Sequence, residues 1–364
     1  MNCMKSKRNG ITVFFIVSLI ITAVCAVLLF LSRRSSAFAE YISGSVSQSF
    51  RRLMAAVGEL VPFSLFELMV LLIPIGVLLL VILITVAVRR GGLMRLFTGV
   101  LAIAMLLWSG NALALGVGYN SESVASRMEL EGVKVDADSL SYTLRTLVRD
   151  VNLYAERVGR DEFGVAVMER DLSELSHVIC ESYDRLADRY GFYDGFSSSV
   201  RGVDALHIMS RLGLTGIYTY YTGQANVNTD YPDYDIAFTS AHELAHQRGI
   251  MPENQANFMA YLICSESDDA FLNYSAALNM LEYVGSALYK TDPYLYNEVI
   301  SGLSSLAYAD MRASRTVYNK FGGGILSDIS TRVNDIFLKS NGTPGTVSYS
   351  MVTELAVAYI TATR

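Results

Sequence analysis

The chain has 364 residues, of which 52% are hydrophobic and only 18% charged. Soluble domains carry about 25% charged residues, so part of this chain is composed for lipid. A net charge of −6 leaves no basic face for nucleic acid, and Cys3, Cys25, Cys180 and Cys264 form no CxxC, which excludes a thiolate zinc site or redox pair of that kind.

Residues 11–31 (ITVFFIVSLIITAVCAVLLFL) and 68–88 (LMVLLIPIGVLLLVILITVAV) are free of charge, and residues 96–118 form a weaker, Gly- and Ala-rich third run containing Asn111. A helix needs about 20 apolar residues to cross a bilayer core, so all three are long enough. KSKR precedes the first run and Ala37-Phe38-Ala39 follows it like a cleavage triplet. Its apolar stretch nevertheless exceeds the roughly 7–15 residues of a signal peptide, and it reads as an anchor. Pro74 is expected to kink the second span, which membranes tolerate. Lys5, Lys7, Arg8, Arg89, Arg90 and Arg95 fall on one side of the three spans, and Arg33, Arg34, Arg51 and Arg52 on the other. That asymmetry favours a cytoplasmic N-terminus, with everything after the third span outside the cytoplasm.

From residue 120 the composition is that of a globular domain, so the chain divides into a membrane region, 1–119, and a domain, 120–364, large enough to bury a core. Leu140, Leu144, Leu147 and Val151 mark an amphipathic helix at 139–157, and Leu172, Leu175, Ile179 and Leu186 another at 169–190. Segment 216–228 (GIYTYYTGQANVN) reads as a hairpin turning at Thr222-Gly223. Helical periodicity returns near 239 and persists, broken at Pro293, at Gly322 to Gly324 and at Gly342 to Gly345. The fold class is therefore mainly α with a small β element. Cys180 and Cys264 read as buried free thiols, a disulfide between them being the alternative for an extracytoplasmic domain.

Two of the four histidines stand in HELAHQRGIMPENQAN, residues 242–257. On a helix His242 and His246 lie at i and i+4, so both imidazoles reach one cation. Glu243, about 100° round, reaches a water on the open side of the metal, giving two ligands and a general base. A bland alternative makes Ser240 to Glu243 a capping box, which explains Glu243 but neither histidine. For a third ligand, Gly249 ends the helix in a left-handed turn and Pro252 suits the start of a new helix at 252–264. The reversal swings Glu253 back toward the metal, and Asn257, one turn on, is placed to bond a ligand's free side. Otherwise Glu253 is an ordinary acid at a helix N-terminus.

Residues 229–241 are too polar for a bilayer segment, so the site lies outside the membrane. His177 and His207 read as surface or core histidines. The strand at 216–228 would serve extended substrate backbone, with Tyr218, Tyr220 or Tyr221 lining the groove or simply packing in the core. Arg248, Arg332 and Tyr349 are conceivable oxyanion stabilisers, equally well read as packing or surface residues.

The three spans followed by GIYTYYTGQANVN, HELAHQRG, ENQANFMAYLICSESDD and a late YNKF…LKSNGTPGTVSY resemble the bacterial membrane family called domain of unknown function 3810, over nearly the whole chain. The resemblance implies a zinc-dependent peptidase with a zincin-like α+β domain. HExxH followed by ExxAN is also similar to the gluzincin-like arrangements of CAAX-prenyl-type membrane proteases and ImmA-type peptidases. There the second glutamate is the third zinc ligand, a role that falls here on Glu253. Asn257 replaces an aspartate of the former group, and Gln224 and Gln255 stand where the family is expected to carry acids.

These readings converge on a multi-pass membrane zinc metallopeptidase acting on peptide or protein substrates. His242, His246 and Glu253 would hold one Zn2+, and Glu243 would be the general base. The rival from another class is a non-enzymatic sensor or scaffold with a structural or vestigial zinc site. A structural site has no need of Glu243. Three spans without an intramembrane ion pair give a transporter little support.

Overall fold

The computed structural model describes residues 2–193, 195–196 and 198–363, without the side chains of residues 2–9 and of Tyr349. It is mainly helical. The N-terminal part comprises α1 (Asn2–Ser32), α2 (Ser36–Ile42), α3 (Gln48–Glu59), α4 (Leu65–Arg89) and α5 (Leu93–Asn111). Three segments are long and apolar enough to cross a membrane: Gly10–Ser32, Leu65–Arg89 and Leu93–Asn120. α4 is continuous through Pro74 and exposes apolar side chains on every side, the composition of a helix solvated by hydrocarbon. α1 packs along α5, where the Thr22 and Ser109 hydroxyls bond at 3.0 Å, the polar glue typical of helices in an apolar medium.

The loop between the first two spans, counted with the membrane region on composition, is built into the domain. Arg51 on α3 is fully buried and donates to the Ala114 and Ser43 carbonyls at 3.0 and 2.9 Å. Gly58 passes so close to the hairpin turn that a Cβ there would stand 2.6 Å from the Thr222 carbonyl.

The remaining helices are α6 (Val124–Arg127), α7 (Ala137–Ala155), α8 (Leu172–Tyr190), α9 (Ile208–Leu212), α10 (Asp233–Gln247), α11 (Glu253–Ser265), α12 (Ala270–Thr291), α13 (Pro293–Ile300), α14 (Ser305–Phe321), α15 (Ile325–Ser340) and α16 (Val352–Thr363). Capping boxes start α7 (Asp136 with Ser139) and α8 (Asp171 with Glu174), and Gly191 at φ 67° ends α8. α12 is the core helix, packed by α7, α10, α11 and α16. Leu144, Leu147, Ile179, Phe258, Leu278 and Val284 fill the interior at 0% exposure.

A three-stranded sheet lies against α10: β1 (Arg201–Val203), β2 (Gly216–Thr219) and β3 (Gln224–Asn228), in the order β1-β3-β2. β1 runs parallel to β3, with Arg201 opposite Asn226. β2 is antiparallel, with Gly216 opposite Val227, and closes through a turn at Gly223, φ 71°. Period-2 alternation gives β3 two different faces. Ala225 and Val227 enter the core, whereas Gln224 and Asn226 hold the loop before α4. Gln224 accepts from the Leu65 amide at 2.8 Å and donates to the Gly58 and Phe63 carbonyls, both at 3.1 Å. A carboxylate could not make the two donations, which accounts for glutamine at this position.

Candidate metal centre

α10 begins at Asp233 with Pro232 as its cap, seven residues before Ser240. The capping-box alternative therefore fails. Ser240 lies mid-helix with its hydroxyl on the Ile236 carbonyl at 2.7 Å, and Glu243 is released for another purpose. α10 ends at Gln247, the chain reverses through Gly249 (φ 108°), and α11 starts at Glu253 with Pro252 one residue before it. A Cβ on Gly249 would meet the Arg51 guanidinium at 2.6 Å, so both the conformation and the close approach call for glycine.

The reversal brings three candidate ligands together. His242 and His246 Nε2 stand 3.3 and 3.4 Å from Glu253 Oε2, and ligand atoms of all three residues lie within 4.8 Å of one another. The imidazoles meet edge to face with ring centroids 4.5 Å apart. The His246 Nδ1 donates to the Ile250 carbonyl at 2.8 Å, which leaves Nε2 as the nitrogen turned toward Glu253. Three buried atoms here have no hydrogen-bond partner: His242 Nδ1, Glu243 Oε2 and Glu253 Oε2. Buried polar atoms are normally satisfied, so such a concentration needs an explanation. Separations of 3.3 and 3.4 Å match the edge, about 3.3 Å, of a tetrahedron whose centre lies about 2.0–2.1 Å from each corner, the usual zinc distance.

The electrostatics agree with a site made for positive charge. Burial alone would raise the Glu253 carboxyl and lower the His246 imidazole. Their mutual attraction wins, holding Glu253 well below the usual carboxylate range and lifting His246 to about 9. Glu243 differs. Burial pushes its carboxyl up, and the two histidines offset this only in part. It lies beneath the start of β2, where a Cβ on Gly216 would come 2.4 Å from Glu243 Oε1.

A cleft of about 350 Å³ opens over the cluster, lined by Gly216, Thr239, His242, Glu243, Asn257 and Tyr283, with Ser330 and Asn334 of α15 across from them. Asn257 donates to the Tyr283 hydroxyl at 3.3 Å, so its bond goes into the cleft wall and not to a ligand's free side. Tyr283, which sequence reasoning missed, is a phenol that burial pushes up to about 12. The one available signal was Asn279, Glu282 and Tyr283 interrupting the apolar surface of α12 at helical spacing. Asp235, two turns before His242, also lines the cleft, and burial pushes its carboxyl up to about 7.

Other sequence candidates have different work. Tyr218 is buried beside Arg51, and Tyr220, beyond the end of β2, donates to the Leu107 carbonyl at 2.7 Å, so neither lines this cleft. Tyr221 stacks edge to face on Tyr220. Arg248 is fully buried, donating to the Leu244 and Phe196 carbonyls and packed on the rings of Tyr183 and Phe196, and is no oxyanion donor. Arg332 is exposed on the far face of α15, and the Tyr349 side chain lies outside the described residues. His177 pairs with Glu181 at the surface and His207 with Asp230, away from the cluster. Cys180 and Cys264 are buried free thiols.

The family model described as "Protein of unknown function (DUF3810)" matches residues 41–357, and the chain belongs to that family. No curated protein and no solved structure matches the chain.

Proposed function

We propose that this member of the DUF3810 family is a multi-pass membrane zinc metallopeptidase with a zincin-like α+β domain. The observation that carries the reading is the convergence of His242, His246 and Glu253 around unsatisfied buried atoms, with Glu243 beside them. His242 and His246 would hold the ion through Nε2, and Glu253 through its carboxylate. Zinc, when bound there, supplies a Lewis acid that polarises a carbonyl and acidifies water.

The chain's own residues supply the rest. Glu243, with a carboxyl raised by burial, takes a proton from the attacking water and delivers it to the departing amine. β2 is a sheet edge whose first residues, Gly216 and Ile217, are half-buried beside Glu243, a place for extended substrate backbone to add as a further strand. Tyr283 accepts from Asn257, which leaves its own hydroxyl proton free to donate into the cleft. The charge asymmetry of the loops supports a cytoplasmic N-terminus with the cleft outside the cytoplasm.

The test is zinc content and cleavage of a peptide library by the full chain in detergent. Glu243→Gln keeps zinc and loses hydrolysis by at least about 10²-fold, whereas His246→Ala loses both. A Glu243→Gln protein cleaving at the wild-type rate overturns the mechanism. Stoichiometric zinc in a wild type that cleaves nothing favours a structural site.

A further inference from the structure

α15 is amphipathic the wrong way round for a helix in water. Ile325, Ile329, Val333 and Ile336 follow one another at helical spacing, and they are 78%, 54%, 61% and 67% exposed. The opposite face carries the half-buried Ser327, Ser330 and Asn334, of which Ser330 and Asn334 line the cleft, with Leu338 as its buried apolar residue. Arg332 and Lys339, both exposed, border the apolar stripe on one side. The stripe is as exposed as the flanks of the apolar α4, where Leu79 is 54% exposed. A contiguous apolar stripe turned away from its own protein marks a surface that something else covers.

The placement of α15 says what that is. At its C-terminal end the Ser340 carbonyl accepts from Arg33 at 3.0 Å, one residue past the end of α1. One turn earlier Phe337 packs edge to face on Tyr119, at the end of the third span. At the other end Ser327 lies against Gly213, the residue that follows α9. α9 in turn sends Met209 into a small apolar cluster with Phe66, in the first turn of α4, and Val70 packs on that cluster one turn further along. α15 is therefore pinned at both ends to the domain-side ends of the three apolar spans. Its 16 residues cover about 24 Å at 1.5 Å per residue.

We infer that α15 lies in the bilayer interface, its apolar stripe in the acyl boundary and its polar face forming the membrane-side wall of the metal cleft. Arg332 is placed to extend toward headgroups while its stem lies along the stripe, whereas Lys339 is held by Asp335 at 2.7 Å. The inference rests on the reading that the three long helices cross a bilayer. It deepens the substrate assignment: a polypeptide entering the cleft does so beside the membrane surface.

The experiment uses the full chain, with its native cysteines replaced by alanine, in lipid nanodiscs. Single cysteines at Leu79, Ile329, Val333 and Asn334 carry a fluorophore, and the quenchers are brominated lipid and aqueous iodide. Labels at Ile329 and Val333 are expected to be quenched by bromolipid to at least about half the extent of Leu79, while the Asn334 label is not. Quenching at Leu79 without quenching at Ile329 and Val333 overturns the inference and leaves the spans standing. If those two labels are also shielded from iodide, a protein partner or a second copy covers the stripe instead. Failure of quenching at Leu79 removes the spans, and the inference with them.

Discussion

α10 and α15 face each other across one cleft, and each breaks the usual inside–outside rule in the opposite sense. α10, with the Arg248 that caps it, buries histidine, glutamate, glutamine and arginine, whereas α15 exposes isoleucine and valine. Position relative to the cleft separates two kinds of polar burial at α10. Gln247 donates to the Gly223 carbonyl at 2.7 Å and Arg248 to carbonyls on two segments, so both are structural. His242 and Glu243 line the cleft, and His242 Nδ1 and Glu243 Oε2 have no hydrogen-bond partner. A buried polar group bonded to two segments holds a fold together, and one at the edge of a cleft is placed to meet a ligand. The same distinction on α15 concerns apolar surface, and there the missing component is lipid.

The largest effect that would break this comparison concerns the two faces of α15. Leu338→Ala removes a fully buried side chain and should cost about 2–5 kcal/mol. Ile329→Ala on the opposite face should change stability in detergent by no more than about 0.5 kcal/mol, since alanine also favours the helix. Denaturant unfolding of the two variants measures both. An Ile329→Ala cost equal to that of Leu338→Ala would mean that the outer face is packed against protein.

Next comes the contact between the sheet and the general base. Gly216→Ala places a Cβ on a strand tied to β3, only 2.4 Å from Glu243 Oε1 and 2.5 Å from the Thr239 methyl. The carboxylate must move while the three ligands stay. Hydrolysis should fall about tenfold to a hundredfold with zinc content unchanged. Equal loss of zinc and activity would show that the strand supports the ligands and not the base.

The unevenness of these expectations follows what a sequence exposes. The three long apolar helices, the hairpin and the helix reversal that gathers His242, His246 and Glu253 were legible because each is local: a charge-free run, a Thr-Gly turn, an i, i+4 histidine pair with a Gly–Pro reversal before Glu253. Residues 36–59 were assigned with the membrane by neighbourhood, and the Gln224 bond to the Gly58 carbonyl that ties them to β3 spans more than 150 positions. Tyr283 was illegible because a tyrosine among apolar residues of a core helix looks like packing until the fold turns it toward the histidines. Tyr218 and Tyr220 misled in the other direction, since strand aromatics next to an active-site motif suggest a groove. The fold spends one beside Arg51 and the other on the third span. α15 carried its apolar period openly, but the period does not say which face is out.

The smallest expected effect sharpens the account of α10, because Asp235 is a buried acid on that helix without a histidine to pair with it. Burial pushes its carboxyl up to about 7, against the pull of a Ser314 hydrogen bond and with a smaller push from the charge of Glu282. The folded chain therefore keeps a proton that the unfolded chain releases near an ordinary carboxylate pKa of about 3.9. Stability from this group is complete below that value and is lost as pH rises through about 7. Asp235→Asn removes the titration while keeping the shape. In chelated protein the variant should gain on the wild type as pH rises from about 4 to about 7, with the difference levelling off above. A difference that stays constant across that range would mean that Asp235 is ionised in the fold, and that α10 carries a second charge calling for a cation of its own.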